Sequence, residues 1–341
     1  MRVAVYYNNK DVRIEERPIP EINDDEILIK VIASGICGTD VLEWYRIKKA
    51  PLVLGHEISG IVEKAGKNVK NFRIGDRVMV SHHVPCMKCH YCLNNHHTAC
   101  ETLHKTNFHP GGFSEYVRIP QINVEIGTFK LPENVSFEEG TFIEPLGTVA
   151  RAQRLANLKA NRTLLVIGSG ISGLMHIALA KSKNTKKIVA VDINEYRLNA
   201  AKRFGADAVI HANDDVASKL KEINENRLAD LVVVCTGALS AAKQALNCVD
   251  KGGTILFFAV PKPDEKLEIP INDFWRNEVK VMTSYGAAPN DLIESIELIK
   301  NKKINLNDMI THRLKFDEIQ KGFKLVAEAK GSLKVIVEPN K

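Results

Sequence analysis

The chain has 341 residues, 45% hydrophobic and 26% charged, with a formal net charge of +6. One hydrophobic core rarely serves a chain of this length, so two domains are expected, and the balanced composition argues against disorder or a repeat array. Residues 181–187 and 300–303 are locally basic, but both contain Asn and flank apolar runs, so they read as solvated turns rather than a nucleic-acid surface.

In chain order, the N-terminus alternates into a strand and shows no apolar segment followed by a cleavage site, so no signal peptide is expected. A cytoplasmic, reducing compartment follows as the expectation, and clustered thiols are then read as metal ligands before disulfides. As far as about Glu144 the chain reads as short strands between Gly, Pro, Asp and Asn turns. Glu26-Ile27-Leu28-Ile29-Lys30-Val31, Gly60-Ile61-Val62-Glu63 and Arg77-Val78-Met79-Val80 are the clearest of them.

Two groups of metal-ligand residue types fall in this part. Cys37 stands in Gly35-Ile36-Cys37-Gly38-Thr39-Asp40, and His56-Glu57 follow in Gly55-His56-Glu57-Ile58-Ser59-Gly60. Farther on, Glu144 precedes Pro145, which suits the first turn of a helix. One thiolate, one imidazole and one or two carboxylates can grip zinc and leave a position open. On spacing alone, the plainer reading of a buried cysteine and a hydrogen-bonded histidine is favoured.

The second group is compact. Cys86, Cys89, Cys92 and Cys100 form a C-x2-C-x2-C-x7-C lobe, four of the chain's seven cysteines within fifteen residues. Four thiolates on short loops close a tetrahedron around zinc with no open position, which predicts a structural site; an iron–sulfur cluster is the competing reading. Seven of the eleven histidines lie between His82 and His109, and most are expected on the surface of this lobe.

From Gly147 to about Tyr285 the rhythm changes. Unbroken apolar runs such as Leu164-Leu165-Val166-Ile167, Ile188-Val189-Ala190-Val191, Leu231-Val232-Val233-Val234 and Thr254-Ile255-Leu256-Phe257-Phe258 alternate with helical stretches. Buried parallel strands read this way, so a doubly wound α/β sheet is predicted. The longest apolar stretch, residues 164–180, is interrupted by Gly168, Ser169, Gly170, Ser172, Gly173 and His176, and no membrane partner is expected.

The first run leads into Gly168-Ser169-Gly170-Ile171-Ser172-Gly173 and then a helical stretch. A strand–glycine turn–helix unit is the context in which this motif cradles a dinucleotide. Gly168 allows the tight turn, Gly170 the approach of the pyrophosphate, and Gly173 the close packing of helix on strand; the helix N-terminus, at Ile171 and Ser172, offers N–H groups to the phosphates. The next strand ends in Asp192, placed to accept bonds from ribose hydroxyls and to repel a 2′-phosphate, which favours NAD over NADP; nearby Arg197 pulls the other way. Cys235 and Cys248 read as small core residues. Residues 291–301 look helical, and residues 333–337 form a strand expected to return to the first domain.

In order and over essentially the whole chain, these motifs, together with Pro110-Gly111-Gly112-Phe113-Ser114-Glu115-Tyr116-Val117 and Glu144-Pro145-Leu146, resemble the zinc-containing medium-chain dehydrogenases. The resemblance implies a GroES-like β-rich catalytic domain, residues 1–146 and 287–341, with a structural zinc lobe at residues 82–104. It also implies a Rossmann NAD-binding domain, residues 147–286, and two zinc ions per chain. Glu144, where alcohol dehydrogenases carry a second cysteine, makes the chain similar to the sorbitol, polyol and threonine dehydrogenase branch.

By that resemblance Cys37, His56, Glu57 and Glu144 surround the catalytic zinc, with the two carboxylates ligating directly or through water, and Cys86, Cys89, Cys92 and Cys100 hold the structural one. Asp40 orients His56, Thr39 hydrogen-bonds the substrate hydroxyl, and Thr148 and Arg197 lie with the glycine turn about the dinucleotide. Many relatives carry a histidine two residues after the motif's Asp as the outer end of a proton relay; here that residue is Leu42. His83, three residues before the first lobe cysteine, is the candidate to replace it or to touch the substrate.

The implied activity is reversible NAD-linked oxidation of a secondary hydroxyl on a polyol, sugar or inositol. L-Threonine 3-dehydrogenase and a simple secondary-alcohol dehydrogenase are the enzymatic alternatives, and a non-catalytic zinc-lobe binding protein is the alternative of another class. Glu43, Tyr45, Arg46 and Asn107 could supply hydrogen bonds to a polyol or simply decorate the surface. Relatives are commonly dimers or tetramers, so a homo-oligomer is expected.

Overall fold

The computed structural model describes residues 1–341. The chain separates into two compact units, Met1–Gly147 with Ala287–Lys341, and Thr148–Gly286.

In the first unit the β-branched stretches pair into a sheet whose central strand is Ile27–Gly35. Glu57–Ala65 and Tyr116–Ile119 run antiparallel to it. Lys334–Glu338 pairs with its end, placing Ile336 opposite Gly35, and Gly35 in turn faces Glu57. Arg77–Val80 extends the sheet beyond Glu57–Ala65. Ile27, Ile29, Val31, Val62, Val78 and Val117 fill one core, all sealed from solvent. This alternation of inward apolar residues is what the period-two pattern requires.

The second unit is a six-stranded parallel sheet. Its spatial order is Ala208–His211, Lys187–Asp192, Thr163–Ile167, Ala229–Val234, Val249–Phe257, Lys280–Thr283. The order reverses between Thr163–Ile167 and Ala229–Val234, the switch point where such sheets leave a crevice outside their strand ends. Both central strands are buried along their whole length, which is why they read as unbroken apolar runs.

Two strands exceed or escape the apolar-run pattern. In Val249–Phe257 the buried Val249 is followed by Asp250, Lys251 and Gly252, exposed or partly exposed residues that hide its first half. Lys280–Thr283 lies at the sheet edge, paired on one side only, and is mostly exposed, so no burial pattern marks it. No helix is long and apolar enough to cross a membrane.

Candidate metal centres and dinucleotide turn

The 3-10 turn Gly38–Val41 follows the central strand of the first unit, with Cys37 as its N-cap. Asp40 closes this turn on itself, accepting the backbone N–H of Cys37 at 3.1 Å. Its other oxygen lies 3.4 Å from His56 Nδ1 and 3.6 Å from Arg46 Nη2, and the carboxylate is fully buried. Burial pulls the His56 imidazole down, but the charges of Asp40 and Cys37 outweigh it, and the ring is held well above its ordinary pKa. Asp40 is itself held low: burial opposes its ionisation, and His56 and Arg46 overcome that cost.

The Thr39 hydroxyl donates to Cys37 Sγ at 3.3 Å, so its hydrogen points into the group of ligand types. Cys37, His56 and Glu57 place one ligand atom each within 4.8 Å of one another. Such a mixed thiolate, imidazole and carboxylate set fits zinc and leaves a fourth position for another oxygen.

Glu57 is buried and ion-paired with Lys334. Gly35 makes the pair possible, because a Cβ there would collide with Glu57 Oε2 and Lys334 Nζ. The first glycine of the Gly35 motif thus has a reason invisible in the motif itself. Lys334 was missed in the sequence; its signal is a lysine opening the otherwise apolar run Val335-Ile336-Val337.

Glu144 sits in the first turn of the helix Ile143–Leu155. It lies outside the tight Cys37–His56–Glu57 group, yet feels it. Burial raises its pKa to about 7, with His56 and Lys334 pulling down and Glu57 and Asp40 pushing up. Thr148 follows one turn later on the same helix.

Two neighbouring histidines, His82 and the candidate His83, lie near this centre. The His82 ring is 4.8 Å from that of His56, and His83 stacks on His82 at 3.8 Å. Burial first, then the neighbouring charges of His56, His104, Arg46 and Lys49, depress His83 to about 4, so it is a neutral imidazole at pH 7. His90, His96, His104 and His109 are exposed as expected.

The sulfur atoms of Cys86, Cys89, Cys92 and Cys100 also lie within 4.8 Å of one another. The backbone N–H of Cys89 donates to Cys86 Sγ at 3.3 Å, and that of Cys86 to Cys100 Sγ at 3.4 Å. Burial disfavours a Cys100 thiolate, but backbone donors led by Cys86 and Leu103 bring it down to about 6, whereas burial and its sulfur neighbours push Cys92 up to about 12. Full ionisation of this set therefore needs a cation at its centre, the behaviour of a closed thiolate metal site.

In the second unit Gly168 adopts φ +94°, a conformation that favours glycine, and Gly170 caps the helix Ile171–Ser182. A Cβ on Gly173 would collide with the carbonyl oxygen of Gly168. Gly170 is different: the nearest atoms to a Cβ there belong to the Arg197 guanidinium, 3.8 Å away or more. The side left open is the one a pyrophosphate needs. Asp192 accepts the backbone N–H of Ser169 at 2.7 Å and of Asn194 at 2.9 Å, tying the second strand's end to the glycine turn. Arg197 Nη1 stands 4.0 Å from it. Cys248 is fully buried and Cys235 largely so, and burial raises both thiols, to about 12 for Cys248.

Residues 23–132 match the model of the alcohol dehydrogenase GroES-like domain, and residues 172–301 that of the zinc-binding dehydrogenases. A probable D-xylulose reductase A of Aspergillus clavatus is 33% identical over 94% of this chain and 92% of its own length. This chain belongs to the zinc-containing medium-chain dehydrogenase family. A sorbitol dehydrogenase of Bacillus subtilis is 31% identical over 100% of this dehydrogenase and 98% of its own length. Among solved structures, an alcohol dehydrogenase of Escherichia coli complexed with NADH is 27% identical, covers 99% of each chain, and superposes with a TM-score of 0.89. The second matched model is that of zinc-binding dehydrogenases, so zinc is the metal of the family.

Proposed function

We propose that this dehydrogenase reversibly oxidises a secondary hydroxyl of a polyol-type substrate to a ketone, with NAD as the hydride acceptor. The observation carrying this reading is the open-sided group of Cys37, His56 and Glu57 on one side of the Thr39 hydroxyl. The relatives named for sorbitol and D-xylulose support the substrate class.

In this reading Cys37, His56 and Glu57 hold the catalytic zinc, with Glu144 as an alternative carboxylate, and Cys86, Cys89, Cys92 and Cys100 hold the structural one. When bound, zinc supplies the charge that makes a neighbouring hydroxyl acidic, from about 16 toward about 7 for water, and NAD takes the hydride. Thr39 Oγ1 accepts a hydrogen bond from the reacting hydroxyl and orients it. Asp40 keeps His56 in one tautomer by engaging Nδ1, leaving Nε2 to the metal. Lys334 holds one oxygen of Glu57 and leaves the other for ligation.

On the cofactor side, Gly168, Gly170 and Gly173 shape the turn, Ile171 and Ser172 present N–H groups to the pyrophosphate, and Asp192 accepts from the ribose. Arg197 flanks the adenosine end, and Thr148 packs near the nicotinamide. His83 contacts the substrate as a neutral hydrogen-bonding imidazole; with a pKa near 4 it is too weak a base to end a proton relay at pH 7. His83→Ala is expected to raise KM. An unchanged KM and kcat would remove His83 from the site.

Residues 1–146 with 287–341 form the catalytic domain and residues 147–286 the NAD domain. Seven cysteines without a disulfide support residence in a reducing compartment such as the cytoplasm. Exposed Ile271, Trp275 and Val281 around the edge strand Lys280–Thr283 support a homo-oligomer.

The test is NAD reduction over a panel of polyols, inositols, secondary alcohols and L-threonine, with and without a chelator. Polyol turnover abolished by the chelator and restored by zinc is expected. Turnover of L-threonine alone, or of nothing, overturns the reading.

A further inference from the structure

We propose that the substrate of this site carries an anionic group, a phosphate monoester or a carboxylate, received by the guanidinium of Arg46 and the ammonium of Lys49. The proposal rests on the reading that Thr39 faces the reacting hydroxyl, and adds to it a substrate class.

The helix Glu43–Arg46 and the 3-10 turn Ile47–Lys49 follow Asp40 directly in the chain and fold back over it. Arg46 Nε donates to the carbonyl of Thr39 at 2.9 Å, and Nη2 to Thr39 Oγ1 at 3.4 Å. The guanidinium is thereby fixed beside the hydroxyl that meets the substrate, while Nη1 donates to nothing in the chain. Arg46 and Lys49 both lie on the ring of Tyr45, at 4.8 and 5.0 Å from its centroid. Two cations are thus gathered about one exposed ring, and Lys49 has no carboxylate partner. Lys48, next to them, is exposed as well.

The nearby acids offset only part of this charge. Asp40, 3.6 Å from Arg46 Nη2, is shared with His56 and with the backbone N–H of Cys37, and it does not reach Lys49. Glu43 accepts the backbone N–H of Asn9 at 3.2 Å. Asp40 answers one of the two cations and leaves Lys49 unanswered; an anion from outside relieves the remaining repulsion, and planar arginine matches a phosphate or carboxylate bidentately. Because Arg46 touches Thr39, the anionic group must lie only a few bonds from the reacting carbon.

The test compares kcat/KM for matched pairs: sorbitol with sorbitol 6-phosphate, galactitol with galactitol 1-phosphate, and each polyol with its aldonate. A preference of at least tenfold for a charged partner is expected, smaller at high ionic strength, and Lys49→Glu should reduce the charged-to-neutral ratio at least tenfold. The phosphate and aldonate arms tell the two anions apart. Calorimetric binding of inorganic phosphate provides a readout independent of turnover, and should weaken at least tenfold in Lys49→Glu. Neutral polyols turned over as well as their charged partners, or phosphate binding equal in wild type and Lys49→Glu, would overturn the proposal and leave the polyol reading standing. Absence of NAD reduction with every compound would sink the polyol reading instead, and phosphate binding would then decide the anion site by itself.

Discussion

Lys334 and Glu57 form an ion pair with both side chains sealed from solvent, 1% and 2% exposed. They are 277 residues apart in the chain and meet because the last strand pairs with Ile27–Gly35, whose other edge carries Glu57. A carboxylate left alone in such a place is costly, whereas an ammonium at one oxygen balances its charge and aims it. Removing one partner of a buried pair typically costs about 3–5 kcal/mol. Lys334→Met should therefore lower stability by roughly that amount in urea unfolding. Adding Glu57→Gln should recover part of the loss, and a fully additive double variant would show that the pair does not act as a unit.

His56 should make metal retention at the Cys37 centre depend on pH. Its pKa is held above the ordinary imidazole value of about 6.5, so a proton competes with the metal at higher pH than for a free histidine. Zinc affinity at this site is expected to rise as pH climbs above about 6.5, with one proton released per ion from this ring. Asp40→Asn removes the charge that favours the proton, moving this dependence to lower pH. It also loosens the ring, so affinity at pH 8 should fall about 10–100-fold. Competition titrations with a chromogenic chelator at several pH values measure both effects.

Glu144 should leave its mark on the stability of the chelated protein. Its folded pKa, raised to about 7 mainly by burial, lies above the unfolded value, so the unfolded chain gives up this proton first. Its contribution is then fully present below the unfolded pKa and is lost as pH rises to about 7. Thermal unfolding in the presence of a chelator should show this decline between about pH 4.5 and 7, and Glu144→Gln should flatten it. An unchanged slope in the variant would place the raised group elsewhere.

Gly173→Ala should weaken dinucleotide binding without touching either metal cluster. The added methyl meets the Gly168 carbonyl, so the turn must open or the helix Ile171–Ser182 must move off its strand. A loss of about tenfold or more in NADH affinity by fluorescence titration, with zinc content unchanged, is the expected outcome; one factor of ten corresponds to about 1.4 kcal/mol. Wild-type affinity would mean that the turn relaxes around the methyl at no cost.

Much of this was legible in the residues themselves. The glycine turn could be read because Gly168 needs its positive φ and Gly173 its missing Cβ, local demands that only one residue type satisfies. The four-cysteine lobe was equally plain, since short loops bring such sulfurs together whatever the rest of the chain does. Thr163–Ile167 and Ala229–Val234 announced a parallel sheet because burial on both faces erases alternation.

The edge strand Lys280–Thr283 escaped for the converse reason, having no buried face to pattern it. His82 looked like a surface residue of a histidine-rich lobe, and only its ring against His56, with the candidate His83 stacked behind it, gave it another place. Whether Lys334 met Glu57, or Arg46 met Thr39 and shared the Tyr45 ring with Lys49, depended on strand register and on how a short helix folds back. Sequence carries local backbone chemistry and the period of burial; the company a charged side chain keeps across hundreds of residues is decided when the sheets close.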